Sequence, residues 1–243
     1  MGKERRPERV DSERGYWRES RAFGLGLVSV LPLVVLYHCG IVQSSYPLRN
    51  LAEVWLTGPL QLVGLRAAHV LNVALLFSLI AVLWRSEVKA SNVLLTVVVM
   101  IAEAALYGVA LYKGGDYLTH LLHRQATEVF FAVNLDRAAP LLLALGAGVY
   151  EELLFRLLLV GGGTLLMQKV FLWDRRLAAA LALAVSSLLF AAAHHVGSVG
   201  ESFTTYNFLF RTVCGFLLGV IYVFRGFGIA AWTHALYNLL VVV

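Results

Sequence analysis

Long, nearly uninterrupted apolar runs are the feature of this sequence that most constrains its fold. A transmembrane helix needs about 20 mainly apolar residues. Backbone amides in hydrocarbon must bond within their own segment, which favours helices. Seven runs approach this length, at residues 22–42, 67–84, 92–112, 140–160, 177–195, 206–224 and 226–243. The sequence therefore predicts an all-α, polytopic transmembrane bundle of seven to eight spans.

The charged residues lie mostly outside these runs. Only 14% of the chain is charged, and 12 of its 35 charges fall in the first 21 residues. Lys and Arg in short loops mark the cytoplasmic side. With the N-terminus inside, 13 of them lie on inner segments and four in outer loops. We expect a multi-pass integral protein of a bacterial or archaeal inner membrane, with a cytoplasmic N-terminus.

Composition excludes two other classes of protein. The sequence pI of 9.4 does not indicate nucleic-acid binding, because the positive charge is not gathered on a polar module that bears aromatic residues. Cys39 and Cys214 each lie in an apolar run and provide no disulfide framework. The lipid bilayer, and not nucleic acid, is the expected partner.

Ionisable residues inside the apolar runs are the strongest functional signal. Each costs about 2.5–3.5 kcal/mol on membrane-insertion scales, so such residues indicate function. The run at 140–160 holds Glu151, Glu152 and Arg156. On a helix, Glu152 and Arg156 are four residues apart and can pair, whereas Glu151 points about 100° away. We predict a structural ion pair beside a free Glu151 that does the chemistry.

Two later runs supply imidazoles and an amide. Phe190 and His194 are four residues apart near the end of the fifth run, and His234 and Asn238 share a face of the last. A carboxylate in apolar surroundings can act as a general base and then as an acid. A histidine can share the water, and a His–Asn pair can donate hydrogen bonds to an oxyanion. Together with Glu151, this set predicts water activation without a covalent intermediate.

Zinc is the alternative to metal-free chemistry. Glu151, His194 and His234 are acceptable zinc ligands, but the HExxH spacing is absent. Asn238 suits hydrogen-bond donation better than zinc ligation. No cofactor is therefore expected, with zinc held by those three residues as the alternative.

The same residues carry a family resemblance. EELLFR at 151–156, FAAAH at 190–194 and HALYN at 234–238 match, in order, the EExxxR, FxxxH and HxxxN motifs of the CAAX protease and bacteriocin-processing (CPBP) family. The chain thus resembles these intramembrane proteases, which include type II CAAX prenyl endopeptidases and related glutamic-type sorting proteases. His195 lies beside the second motif and could take the place of His194.

The resemblance implies peptide hydrolysis at a membrane, with Glu151 and His194 activating water and His234 and Asn238 stabilising the oxyanion. Supporting roles fall to Glu152, Arg156 and Phe190. The expected organisation is a cytoplasmic tail at 1–21, N-terminal membrane and interfacial segments at 22–139, and a CPBP-like catalytic core at 140–243. The family commonly has about eight helices, so an additional helix is expected in 46–61 or 113–139.

The resemblance implies a membrane-anchored or lipidated protein as the substrate. Prenylated CAAX proteins, leader peptides and C-terminal sorting tails are the candidates. Two alternatives to a protease remain: a non-catalytic scaffold or immunity protein of the same fold, and a proton-coupled transporter. The transporter alternative rests on three further ionisable residues within apolar runs, Glu103, His38 and His69.

The depths of the candidate residues differ. Because His194 lies at the end of the apolar run 177–195, a rise of 1.5 Å per residue places it about 15 Å from the middle of the membrane. Glu151, by contrast, lies near the middle of the membrane. Either the fifth helix continues past His195 into 196–198, or the site lies in a cavity nearer the outer face. We expect the cavity to open outward, because 196–207 contains no Lys or Arg.

Overall fold

The computed structural model describes residues 15–43, 49–62, 74, 77, 90–122, 138–197 and 200–242. Within these ranges the chain is helical and forms no β-strand, which confirms the predicted all-α class. The helices are α1 (15–19), α2 (Phe23–Gln43), α3 (Leu51–Gln61), α4 (Ala90–Leu122), α5 (Ala138–Glu151), a π-helix (Glu152–Gly162), α6 (Gly163–Val170), α7 (Arg175–Ala193), α8 (Thr205–Arg225) and α9 (Phe227–Val242).

These helices form a membrane bundle. Within the described ranges, four segments are long and apolar enough to cross a bilayer: Phe23–Ile41, Asn92–Leu121, Arg175–Ala193 and Thr205–Arg225. Helix α9 is apolar but has only 16 residues, and α5, the π-helix and α6 form one continuous run from Ala138 to Val170. Six of the seven predicted runs fall on these elements. The run at 67–84 lies outside the described residues, apart from positions 74 and 77.

The additional helix expected in 46–61 or 113–139 has a counterpart in α3. This helix lies within the first of these segments, but its 11 residues are too few to span a bilayer. The second segment begins inside α4, which continues to Leu122. Residues 123–137 lie outside the described ranges.

The run at 140–160 is not the plain α-helix that the sequence predicts. Helix α5 ends at Glu151 and the chain winds as a π-helix from Glu152 to Gly162, a wider coil that is often found at functional sites. Ser186 of α7 donates to the carbonyl of Phe155 at 2.6 Å. The α prediction failed because a run that is apolar at most positions carries no periodicity that separates the two helix types.

Helix α9 lies at the centre of the bundle, packed against α2, α4, α5, α8 and the π-helix. Its Ala231 and Ala235 are completely buried. Gly148 of α5 packs directly on them, since a methyl group there would lie 2.6 Å from Ala235 Cβ and 2.7 Å from Ala231 O. This close approach brings the end of α5, with Glu151, beside His234 of α9.

The turn from α8 to α9 holds the N-terminal segment in place. Gly226 makes this turn at φ +86°, a left-handed conformation that favours glycine. Arg225 Nε and Nη2 lie 2.5 and 2.7 Å from the two oxygens of Glu103, and Tyr16 Oη donates to the same carboxylate at 2.5 Å. Burial, followed by the hydrogen bond to Glu103, raises the pKa of the Tyr16 phenol. Both Glu103 oxygens are thus engaged in a structural cluster.

Candidate active site

Glu151 faces two imidazoles from different helices. Its Oε2 lies 3.9 Å from His194 Nε2 and 3.8 Å from His234 Nε2. The side chain is 12% exposed, and Oε2 accepts no hydrogen bond from any residue that the structure describes. An oxygen about 2.8 Å from each of these atoms fits such a gap. The structure therefore brings together three of the four residues for which the sequence predicts chemistry.

Each imidazole is held through its other nitrogen. His194 Nδ1 lies 2.7 Å from the carbonyl of Phe190. A carbonyl only accepts hydrogen bonds, so Nδ1 carries the proton and a neutral His194 presents Nε2 as an acceptor. His234 Nδ1 lies 2.8 Å from Glu152 Oε1, so the carboxylate fixes this ring in the same way. Both Nε2 atoms consequently point toward Glu151.

Helix α7 ends where the site requires it. The ring of His194 donates a hydrogen bond to the Phe190 carbonyl, which an α-helix would pair with the backbone N–H of His194. That N–H donates instead to Ala191 O at 3.2 Å. His195 N bonds Ala192 O at 3.0 Å. Of the two alternatives for this helix, continuation past His195 is excluded, because the chain leaves the α-helical hydrogen-bond pattern at His194.

His195 does not share in the site. Its Nδ1 bonds the carbonyl of Glu201 at 3.0 Å, and its ring packs against Phe203 at a centroid distance of 5.2 Å. Of the two adjacent histidines, His194 is the one that faces Glu151.

The predicted pair of Glu152 and Arg156 is present and buried. Arg156 Nη1 lies 3.0 Å from Glu152 Oε1, and the side chains are 1% and 0% exposed. Arg156 Nη2 also donates to Gly215 O at 3.1 Å. The two side chains, four residues apart, still pair although this segment is a π-helix and not an α-helix. The sequence did not predict that Glu152 also orients His234.

Phe190 joins these groups by packing. The Arg156 guanidinium lies 4.5 Å from its ring centroid, a cation–π distance. The ring also lies 4.7 Å from that of His194 and 5.8 Å from that of His234. Phe190 thus contacts Arg156 and both imidazoles, and its supporting role stays a prediction.

Asn238 is the one predicted site residue that the structure does not join to the others. It lies one turn beyond His234 on α9 and is half-buried. In the described part of the chain, no hydrogen bond links its amide to Glu151, His194 or His234. Its role as an oxyanion donor stays a prediction.

Asn50 touches Glu151, and the sequence did not predict it. Its Nδ2 donates to Glu151 Oε1 at 2.8 Å, while its Oδ1 accepts from Ala52 N at 2.9 Å and caps α3. The pattern Asn-x-x-Glu at 50–53 is a helix-start signature and could have identified the cap. No sequence feature connects it to a glutamate 101 residues away.

The other intramembrane candidates have ordinary partners. His38 Nδ1 bonds the carbonyl of Val34 at 2.9 Å, and its Nε2 lies 3.2 Å from Tyr150 Oη. Glu103 pairs with Arg225, as described above. His69 lies outside the described residues. These contacts give His38 and Glu103 structural roles and do not build a proton path.

The spacing of the three converging side chains is wider than that of ligands around a zinc ion, and the choice between zinc and metal-free chemistry stays a prediction. Ligand atoms on one tetrahedral zinc lie about 3.3 Å apart, since each bond is about 2.0–2.1 Å. Glu151 Oε2 is 3.8 and 3.9 Å from the two imidazole nitrogens. Among the described residues, no three His, Cys, Asp or Glu side chains are positioned to hold a metal ion.

One family model matches part of this chain. The model described as Type II CAAX prenyl endopeptidase Rce1-like matches residues 134–240, a range that includes Glu151, His194, His234 and Asn238. No curated protein and no solved structure matches the chain. The family is one of proteases that act on membrane-associated proteins, and the apolar helices make this chain an integral membrane protein. Residues 134–240, which include all three motifs, are therefore similar to the CAAX prenyl endopeptidase family of intramembrane proteases.

Proposed function

We propose that this protein hydrolyses a peptide bond near the C-terminus or anchor of a membrane-associated protein, with Glu151 activating the attacking water. The observation that carries the proposal is the buried, unpaired Glu151 Oε2 between His194 Nε2 and His234 Nε2, at 3.9 and 3.8 Å. A water in this gap reaches a base on each side. The proposal is of a glutamic-type enzyme without a metal.

The first step is proton transfer from water to Glu151. His194 presents Nε2 as an acceptor, because its Nδ1 proton is donated to the Phe190 carbonyl. It can therefore hold the second water proton while Glu151 Oε2 takes the first. The water oxygen then attacks the scissile carbonyl carbon, forming the C–O bond of a tetrahedral intermediate.

Collapse of the intermediate returns the proton. Glu151, now protonated, donates to the departing nitrogen as the C–N bond breaks, and the carboxylate is restored. In this scheme His234 donates from Nε2 to the developing oxyanion with both of its ring nitrogens protonated, while Glu152 Oε1 accepts from Nδ1 at 2.8 Å. Asn238, one turn further along α9, is the proposed second donor. No acyl-enzyme forms.

The substrate class follows from the family and from the location of the site. The match to a CAAX prenyl endopeptidase family makes a prenylated C-terminal tail one candidate, and the motif resemblance makes a C-terminal sorting tail another. An opening toward the outer face, which we propose because segment 196–207 has no Lys or Arg, favours the sorting tail.

The test compares C-termini of membrane proteins in cells that express the wild-type enzyme or Glu151→Gln. Mass spectrometry should find at least one membrane protein whose C-terminus is shortened only with the wild type. The matched control is Glu201→Gln, at an acidic residue that pairs with Arg211 and lies outside the proposed catalytic set. Identical C-termini in wild-type and Glu151→Gln cells would contradict the proposal.

A further inference from the structure

We infer that Asn50 is a positioning residue of the active site, which holds the Glu151 carboxylate so that one oxygen faces the two imidazoles. The inference rests on the proposed function. Asn50 lies at the start of α3, far outside the family match at 134–240. The active site is therefore completed by the N-terminal part of the chain.

The Glu151 carboxylate would be free to rotate without this contact. The last torsion of a glutamate side chain is broad and weakly restrained. Asn50 Nδ2 binds Oε1 at 2.8 Å, which leaves Oε2 turned toward His194 and His234. In the described residues, this amide is the only hydrogen-bond donor to the carboxylate.

Asn50 is itself fixed in one orientation. Its Oδ1 accepts from Ala52 N at 2.9 Å. An amide nitrogen cannot accept that bond, so Nδ2 must point to Glu151. The backbone N–H of Asn50 donates to Tyr37 Oη at 3.1 Å. The residue is buried.

A second layer of contacts ties Asn50 to α2. In an ordinary capping box the glutamate three residues after the cap bonds the N–H of the cap residue directly. Here the Tyr37 hydroxyl stands between them, accepting from Asn50 N and donating to Glu53 Oε2 at 2.6 Å. Tyr37 and Glu53 are both buried. Helices α2 and α3 are thereby locked at the position that presents the amide to α5.

The two tasks of Asn50 can be separated by substitution. Asn50→Ser keeps a good helix cap but is too short to reach Glu151. Asn50→Asp keeps the cap and the size, and replaces the donor with an oxygen that repels the carboxylate. Asp174→Ala is the control, since Asp174 caps α7 through Arg176 N and Leu177 N and does not contact the site.

The experiment measures kcat, KM and thermal midpoint of the full chain in phospholipid nanodiscs, with two reporter peptides: a farnesylated CAAX tail and a C-terminal sorting tail. Displacing a catalytic group by about 1 Å can cost about 100-fold in rate. We expect kcat to fall about 10- to 100-fold in Asn50→Ser and further in Asn50→Asp. We expect KM to stay within about twofold and the midpoint of Asn50→Ser to match the wild type, while Asp174→Ala keeps the wild-type kcat.

Three outcomes would contradict either the positioning role of Asn50 or the proposed function, and each result shows which of the two fails. Wild-type kcat in Asn50→Ser, with Glu151→Gln inactive, overturns the positioning role alone. An equal loss of kcat in Asp174→Ala assigns the effect to helix capping and also overturns it. Full activity in Glu151→Gln, or no cleavage of either reporter by the wild type, refutes the proposed function on which the inference rests.

Discussion

Two adjacent glutamates should respond in opposite ways to the same substitution. Glu152→Gln should lower stability strongly, whereas Glu151→Gln should abolish cleavage with little effect on stability. The change is isosteric in both cases and removes one negative charge. The difference therefore comes only from what each carboxylate touches.

The expected loss at Glu152 follows from its surroundings. The side chain is completely buried and lies 3.0 Å from the guanidinium of Arg156, which is also buried. Removing one partner of a buried ion pair typically costs about 3–5 kcal/mol, because the other charge is left uncompensated. The cation–π contact of Arg156 with Phe190, at 4.5 Å, cannot replace a counter-charge.

The surroundings of Glu151 predict a small change. Its carboxylate contacts the neutral amide of Asn50 and faces two imidazoles across a gap. A glutamine at 151 can still accept from Asn50 and can turn its NH2 group toward the histidines. We expect a change in unfolding free energy of less than about 1 kcal/mol, comparable to one hydrogen bond.

Reversible unfolding in mixed micelles, followed by circular dichroism, measures both variants against the wild type. The double variant Glu152→Gln with Arg156→Met provides the control, because removing both charges should recover part of the loss. Our reasoning fails if Glu152→Gln stays within about 1 kcal/mol of the wild type. It also fails if Glu151→Gln loses as much as Glu152→Gln.

Further predictions follow from packing, metal dependence and topology. Gly148→Leu should separate α5 from α9 and lower stability by at least about 1–3 kcal/mol, measured by the same unfolding assay; a neutral result would contradict the close approach seen at this glycine. Phe190→Ala should cost about 3–5 kcal/mol and also reduce kcat, because it removes the support of His194; unchanged stability would refute its packing role. Chelation with 1,10-phenanthroline should leave kcat unchanged, whereas loss of activity that zinc restores would establish the metal alternative. A cysteine placed at position 198 should be labelled only from the outer side, and labelling only from the cytoplasm would reverse the predicted orientation.

Local spacing predicted the contacts that depend on a single helix. Glu152 and Arg156 pair as their separation of four residues suggests, and Phe190 contacts His194 for the same reason. The convergence of Glu151, His194 and His234 could also be inferred, because buried polar groups in a membrane need partners. The motif resemblance led to the same residues.

The sequence was less informative about contacts that depend on how helices meet. The π-helix after Glu151 leaves no signature in a nearly continuous apolar run. The end of α7 was uncertain because His194 diverts its own helix by bonding the Phe190 carbonyl. Asn50 reaches Glu151 only because α2 and α3 pack on α5, and a helix cap read from local sequence cannot reveal that approach.

The most direct test of the central claim is the rate at which Glu151→Gln cleaves a substrate that the wild type processes, measured at matched amounts of folded protein. General acid–base catalysis contributes about 10²- to 10⁴-fold. The account predicts a fall of at least about 100-fold in kcat for this variant, with its thermal midpoint unchanged. Cleavage by folded Glu151→Gln at the wild-type rate would contradict the assignment of Glu151 as the group that activates water.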